Sequence, residues 1–161
     1  MRKIVGVMGA GKRLDEQSYE RAYRLGALIA GRGWVLLTGG SACGVMDAAS
    51  RGAHDAGGLV VGVLKGETQA EGSAYLDIAI RTGMGDARNV INVLSSDVVI
   101  ALPGGSGTLS EVALALKAGK VVIAVGWDPG PAMRSAGPGR LLDARTAEDA
   151  VVLVEQFIGE V

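Results

Sequence analysis

Short apolar runs alternate with longer stretches of helical periodicity along almost the whole chain. The runs fall at 3–8, 33–38, 59–64, 76–81, 97–102 and 121–125, and the helical stretches at about 15–31, 44–56, 86–95 and 108–118, with a last near 146–159. Val60-Val61-Gly62-Val63-Leu64 and Val121-Val122-Ile123-Ala124-Val125 are continuous rather than alternating, as in strands covered on both faces. Repeated βα units of this length predict an α/β fold: a doubly wound parallel sheet with helices on both faces and right-handed crossovers. Ligands in such sheets bind beyond the carboxyl ends of the strands. Neither a domain boundary nor an internal repeat interrupts the pattern, so residues 1–161 read as a single domain.

One segment breaks the pattern. Gly126 to Gly139 holds three of the four prolines, at 129, 131 and 138, and reads as a long irregular loop. Two readings stay open for it: a mobile flap near a site, or a surface excursion.

The junction after the fifth run carries the densest chemistry. Asp97-Val98-Val99-Ile100-Ala101-Leu102 leads into Pro103-Gly104-Gly105-Ser106-Gly107-Thr108-Leu109-Ser110-Glu111, and a helical stretch follows. Three glycines at a strand-to-helix turn let the backbone approach a ligand and aim its N–H groups at it. The positive end of the helix dipole stands behind them, so Gly104, Gly105, Ser106, Gly107 and Thr108 form a candidate phosphate cradle. A carboxylate one turn inside that helix would repel phosphate. Glu111 is better explained as reaching a sugar hydroxyl or a reacting centre beside it; the bland alternative is an ordinary acidic residue favoured by the dipole.

Three further loops share that edge of the expected sheet. Gly6-Val7-Met8-Gly9-Ala10-Gly11-Lys12 has P-loop spacing up to the lysine, but Arg13 stands where a Ser or Thr hydroxyl is needed, and the glycines do not give GxGxxG. An NTPase and a standard dinucleotide fold are therefore rejected, while Gly9 and Gly11 remain candidates to line a nucleotide pocket. Thr38-Gly39-Gly40-Ser41-Ala42-Cys43-Gly44 again joins a strand to a helix, and Gly39 and Gly40 permit close approach. Cys43 lacks a nearby basic partner and reads as a packed residue; His54 reads as a helix-end residue. In Arg81-Thr82-Gly83-Met84-Gly85-Asp86-Ala87-Arg88-Asn89, Arg88 sits in a first helical turn, where a cation is locally unfavourable. A residue placed against local preference points to function: Arg88 could grip a phosphate or fix Glu111. The alternative is a solvated arginine at a helix end.

Composition narrows the partners. Sixteen basic and 17 acidic residues give a net charge of −1, without the basic stripe of a nucleic-acid surface. Aromatics at 4% leave little for base stacking. No apolar run approaches the ~20 residues of a membrane span, and the first residues lack a signal-peptide pattern, so a cytoplasmic protein with no membrane partner is expected. One cysteine excludes an internal disulfide, and one histidine argues against a histidine-based metal site. Glycine, at 26 residues, is about twice its usual ~7% share, and it clusters in the loops just described.

Taken together, PGGSGTLSE at 103–111, TGGSACGVMDAA at 38–49 and the arginine helix at 83–89 resemble the LOG family, the cytokinin riboside 5′-monophosphate phosphoribohydrolases often mislabelled as lysine decarboxylases. The resemblance spans essentially the whole chain. It implies a Rossmann-like homodimer with Glu111 and Arg88 as the catalytic pair. It also implies a nucleotide 5′-phosphate held by Gly104, Gly105, Gly107 and Thr108, with no resident cofactor and no metal. The helix departs from the family: plant-type members carry a histidine and an Arg-Lys pair where this chain has Gly-Asp-Ala-Arg-Asn. That form resembles a sister branch including the molybdenum cofactor carrier proteins, which bind a pterin phosphate. No lysine is marked as a pyridoxal phosphate anchor, so the decarboxylase label finds no support.

Two functions follow as expectations. The first is hydrolysis of the N-glycosidic bond of a nucleoside 5′-monophosphate to base and ribose 5-phosphate. The second is non-enzymatic binding or carriage of a phosphorylated ligand such as molybdenum cofactor. A two-carboxylate hydrolysis needs a second acid, for which Asp86 is available by sequence.

Overall fold

The structure is a computed structural model and describes residues 1–158. Seven strands form one parallel sheet in the order β4-β3-β2-β1-β5-β6-β7. They are β1 (Ile4–Met8), β2 (Val35–Thr38), β3 (Val60–Leu64), β4 (Ile78–Arg81), β5 (Val98–Ala101), β6 (Val121–Val125) and β7 (Arg140–Ala144). The helices are α1 (Glu16–Gly31), α2 (Gly44–Asp55), α3 (Arg88–Ser95), α4 (Ser106–Lys117) and α5 (Ala147–Phe157). The expected α/β architecture is present, a single Rossmann-like domain. The final residue of the expected last helix, 159, lies outside the described residues.

The five inner strands are covered on both faces, which is why they read as unbroken apolar runs. On one face Val5, Val7, Leu36, Val60, Ile100 and Ile123 pack under α1, α2 and α5. On the other, Met8, Leu37, Val63, Val99 and Val122 meet Val93 of α3 and Val112, Ala115 and Leu116 of α4. Val112, Ala115 and Leu116 of α4 are thus buried within the chain itself. Among the described residues no helix is long and apolar enough to cross a membrane.

Two differences from the expected pattern have physical causes. No apolar run marks the edge strand β7 in the sequence, because the exposed charges of Arg140 and Asp143 leave only the half-buried pair Leu141-Leu142 between them. It pairs in parallel with β6 from Val121↔Arg140 to Val125↔Ala144, so the Pro/Gly-rich segment is the crossover between these two strands, carrying a short 3₁₀ turn at Pro131–Ser135. Secondly, α4 starts at Ser106, not 108, so Ser106, Gly107 and Thr108 form its first turn rather than a loop. Ser and Gly are weak helix formers, and periodicity alone places the start after them.

The chain winds outward in opposite directions from β1 and β5, which are paired side by side. The loops after β1 and β5 therefore diverge and leave a crevice at the carboxyl edge, the switch point of such sheets.

Candidate functional site

A cavity of about 240 Å³ occupies that crevice. It is walled by Gly9 and Gly11 after β1, Gly39 after β2, Lys65 after β3, and Arg88 and Asn89 of α3. Its floor is the first turn of α4, with Gly105, Ser106, Gly107, Thr108 and Glu111. Two sequence candidates stand apart. Gly104 faces a neighbouring cleft with Lys12 and Asp15. Gly40 lines neither cavity: at φ +76° it turns the chain against Gly62 of β3, a conformation and an approach that suit glycine. Gly104 is still needed, because a Cβ there would overlap the Thr108 hydroxyl and press on the Ala10 amide at 3.0 Å.

Helix caps divide the molecule. The starts of α1 and α5, which do not line the cavity, are closed by side chains: Asp15 Oδ1 accepts from Ser18 N at 2.7 Å, and Thr146 Oγ1 from Asp149 N at 3.1 Å. The starts of α2, α3 and α4 carry no side-chain cap. At α4 the first intrahelical bond runs from Leu109 N to Gly105 O, at 3.0 Å. The amides of Ser106, Gly107 and Thr108 are therefore left facing the cavity, with the helix dipole behind them. That end of the crevice suits an anion.

Arg88 is buried, 5% exposed, and its guanidinium is held on three sides. Nε donates to Val63 O at 2.9 Å and Nη2 to Gly39 O at 3.4 Å, while Nη1 donates to Asn89 Oδ1. These bonds tie α3 to the ends of β2 and β3. They also explain Gly39, where a Cβ would meet Arg88 Nη2 at 2.5 Å. The solvated-arginine alternative is thereby excluded. Asn89 Nδ2 donates onward to Ser110 Oγ at 3.0 Å, linking α3 to α4.

Glu111 is 6% exposed and lies 3.9 Å from Arg88 Nη1. Asn92 Nδ2 donates to its Oε1 at 3.0 Å. Burial raises its carboxyl from 4.5 to about 7, against the opposing pull of the Asn92 hydrogen bond and of the Arg88 and Lys65 charges. It is thus divided between acid and carboxylate near neutral pH. The same burial lowers Arg88 from its ordinary value, Glu111 opposing, and the guanidinium stays charged.

Asp86 is displaced from the role the sequence left open for it. It sits on a single 3₁₀ turn, Gly85–Ala87, with its carboxylate turned to the rim and paired with Lys65 Nζ at 2.5 Å. Sequence reasoning missed Lys65, Asn89 and Asn92. Lys65 follows the buried run of β3 directly, at the edge where every other loop of interest begins. Asn92 is a fully buried polar residue four positions after Arg88, hence on its helical face.

A model of the SLOG cluster4 family matches residues 2–154. Among solved structures, the molybdenum cofactor binding protein of the phototrophic bacterium Rippkaea orientalis is 47% identical, with a TM-score of 0.93 over 98% of both chains. The molybdenum cofactor carrier protein of Chlamydomonas reinhardtii is 44% identical, with a TM-score of 0.88 over 98% of this chain and 99% of that one. Among curated relatives, a cytokinin riboside 5′-monophosphate phosphoribohydrolase of Mycobacterium tuberculosis is 34% identical over 67% of this chain, but the match spans only 59% of that enzyme.

Proposed function

The chain belongs to the SLOG cluster4 family, and from that premise and the crevice geometry we propose that it is a binding protein for a small phosphorylated heterocycle, molybdenum cofactor being the leading candidate cargo. The observation that carries this reading is the uncapped start of α4, three unpartnered amides opening into the crevice beside a buried arginine. The terminal phosphate of the ligand accepts from the amides of Ser106, Gly107 and Thr108. Arg88, fixed by two backbone carbonyls, supplies positive potential without having to be ordered on binding. Likeness to molybdenum cofactor binding and carrier proteins over 98% of the chain supports the choice of cargo.

A second reading, hydrolysis of a nucleoside 5′-monophosphate, is favoured by Glu111. A carboxyl near pKa 7 is suited to general acid–base work at neutral pH. It would activate water while Arg88 and Asn92 hold it in place. Against this reading, Asp86, the other acid lining the cavity, is tied to Lys65 at the rim, so a two-carboxylate scheme has one member here.

A single set of assays separates them. Ribose 5-phosphate, AMP, GMP and molybdenum cofactor are titrated into the protein, and free base is followed chromatographically. Binding of the anions without base release is the expected outcome. Base release from any of the mononucleotides that falls to background in Glu111→Gln would establish the hydrolase instead. The homodimer implied by the family would need a surface other than the buried face of α4. Val90 and Leu94, 41% and 61% exposed one turn apart on α3, provide one, and light scattering tests it.

A further inference from the structure

A second compartment of about 390 Å³ opens off the first cavity on the side of Gly39, Lys65 and Arg88, away from the start of α4. The two share Gly11, Gly39, Met46, Lys65 and Arg88 as a common wall, so one ligand can extend through both. Beyond that wall the chemistry changes sign. The far part is lined by Ser41, Leu64, Thr68 and Glu71, and Glu71 is the one acid among the residues lining this compartment. Among the described residues its carboxylate has no hydrogen-bond or ion-pair partner.

The backbone carrying Glu71 is nonetheless fixed. Ala42 N donates to Glu71 O at 3.0 Å, and Ser41 and Gly72 form an isolated antiparallel bridge. Ser73 N donates to Gly40 O at 2.8 Å, and Ser73 Oγ to Asp47 Oδ1 at 2.7 Å. The loop after β3 is thus stitched to the glycine turn after β2, which fixes the backbone of the exposed, unpaired Glu71 at the lining of the outer compartment.

A carboxylate cannot favour a second anionic group there. It accepts hydrogen bonds only. Two adjacent N–H donors in one plane satisfy both of its oxygens, and such a pair occurs on the amino-pyrimidinone edge common to guanine and pterin rings. Adenine offers a ring-nitrogen acceptor on the corresponding edge, which repels a carboxylate.

We propose that Glu71 is the specificity-determining residue of the crevice, reading the amino-pyrimidinone edge of a phosphorylated ring whose phosphate lies at α4. This rests on the phosphate reading given above.

The test is calorimetric titration of wild type and Glu71→Gln with ribose 5-phosphate, GMP, IMP and AMP. IMP differs from GMP only in lacking the exocyclic amino group. In wild type, GMP should bind about tenfold tighter than IMP or AMP, because a site built to pair with a group rejects the analogue lacking it. In Glu71→Gln the GMP advantage should fall to about twofold or less, with ribose 5-phosphate affinity unchanged. If ribose 5-phosphate binds but wild type treats GMP, IMP and AMP alike, or if Glu71→Gln keeps the GMP preference, the role of Glu71 is refuted and the phosphate cradle stands. If ribose 5-phosphate and the nucleotides all fail to bind, the phosphate reading fails and takes this inference with it.

Discussion

Arg88 and Glu111 stand 3.9 Å apart with 6% and 8% of their side chains exposed, whereas Lys65 and Asp86 stand 2.5 Å apart with 50% and 84% of theirs exposed. Both pairs border one cavity. Distance alone ranks the rim pair as the stronger. Burial reverses the ranking, because water screens the rim pair while the inner pair interacts across a medium of low effective dielectric. The inner pair also costs more to form. Desolvation of Glu111 outweighs its attraction to Arg88, which is why its carboxyl rises to about 7 instead of falling as a salt-bridged acid would. The inner pair is therefore a strained and responsive element, and the rim pair a soft one.

Arg88→Met should break the comparison most severely. It orphans the carbonyls of Val63 and Gly39 and removes the charge facing Glu111. Losing one member of a buried pair commonly costs about 3–5 kcal/mol, but Glu111 can relieve part of this by taking up a proton. A loss of about 3 kcal/mol is expected in urea unfolding at pH 8, and less at pH 6, where Glu111 is already mostly neutral. Equal losses at the two pH values would show that Arg88 acts only through its backbone bonds.

Glu111→Gln sharpens the electrostatic half of that claim. A carboxyl whose folded value lies above its unfolded one stabilises the fold at low pH, and this contribution is lost as pH rises from about 4.5 through about 7. Glutamine does not titrate. The variant should match wild type within error near pH 4.5 and exceed it above pH 7.5 by up to about 3 kcal/mol. Phosphate-ligand affinity should hold or rise at pH 8, since a charge repelling the anion is gone. A stability difference independent of pH would refute the burial of an ionisable Glu111.

These two side chains were legible in the sequence for different reasons. Glu111 follows a glycine-rich turn at a fixed spacing, and Arg88 is a cation placed where its own helix disfavours it, so each carries a local anomaly. Lys65 and Asn92 carry none: one becomes relevant only because β3 ends at the crevice, the other only because α3 turns its Arg88 face inward. The same divide holds for the fold. The five inner strands, covered on both faces, leave continuous apolar runs, and the edge strand β4 was readable from the short run Ile78-Ala79-Ile80 although it is largely exposed. The edge strand β7 depends on pairing with β6, a tertiary fact. The helix α4 begins two residues before its periodicity, because Ser106 and Gly107 are weak helix formers that line the cavity instead of packing on the sheet.

Asp86→Asn should produce the smallest effect, and it tests the soft pair. Asp86 is held below the usual carboxylate range chiefly by its hydrogen bond to Lys65, but its side chain lies in solvent, where such pairs add little to stability. No shift in the unfolding curve is expected. What should change is the crevice mouth, because Lys65 lines both compartments and is released from its partner. Its freed ammonium adds positive potential near the phosphate end, so affinity for ribose 5-phosphate should rise about two- to threefold at low salt and return to the wild-type value at high salt as screening removes the gain. Lys65→Met should move affinity in the opposite direction. A variant Asp86→Asn that unfolds more easily, or whose affinity gain survives high salt, would mean that the rim pair positions the crevice structurally, and that its exposure understates its role.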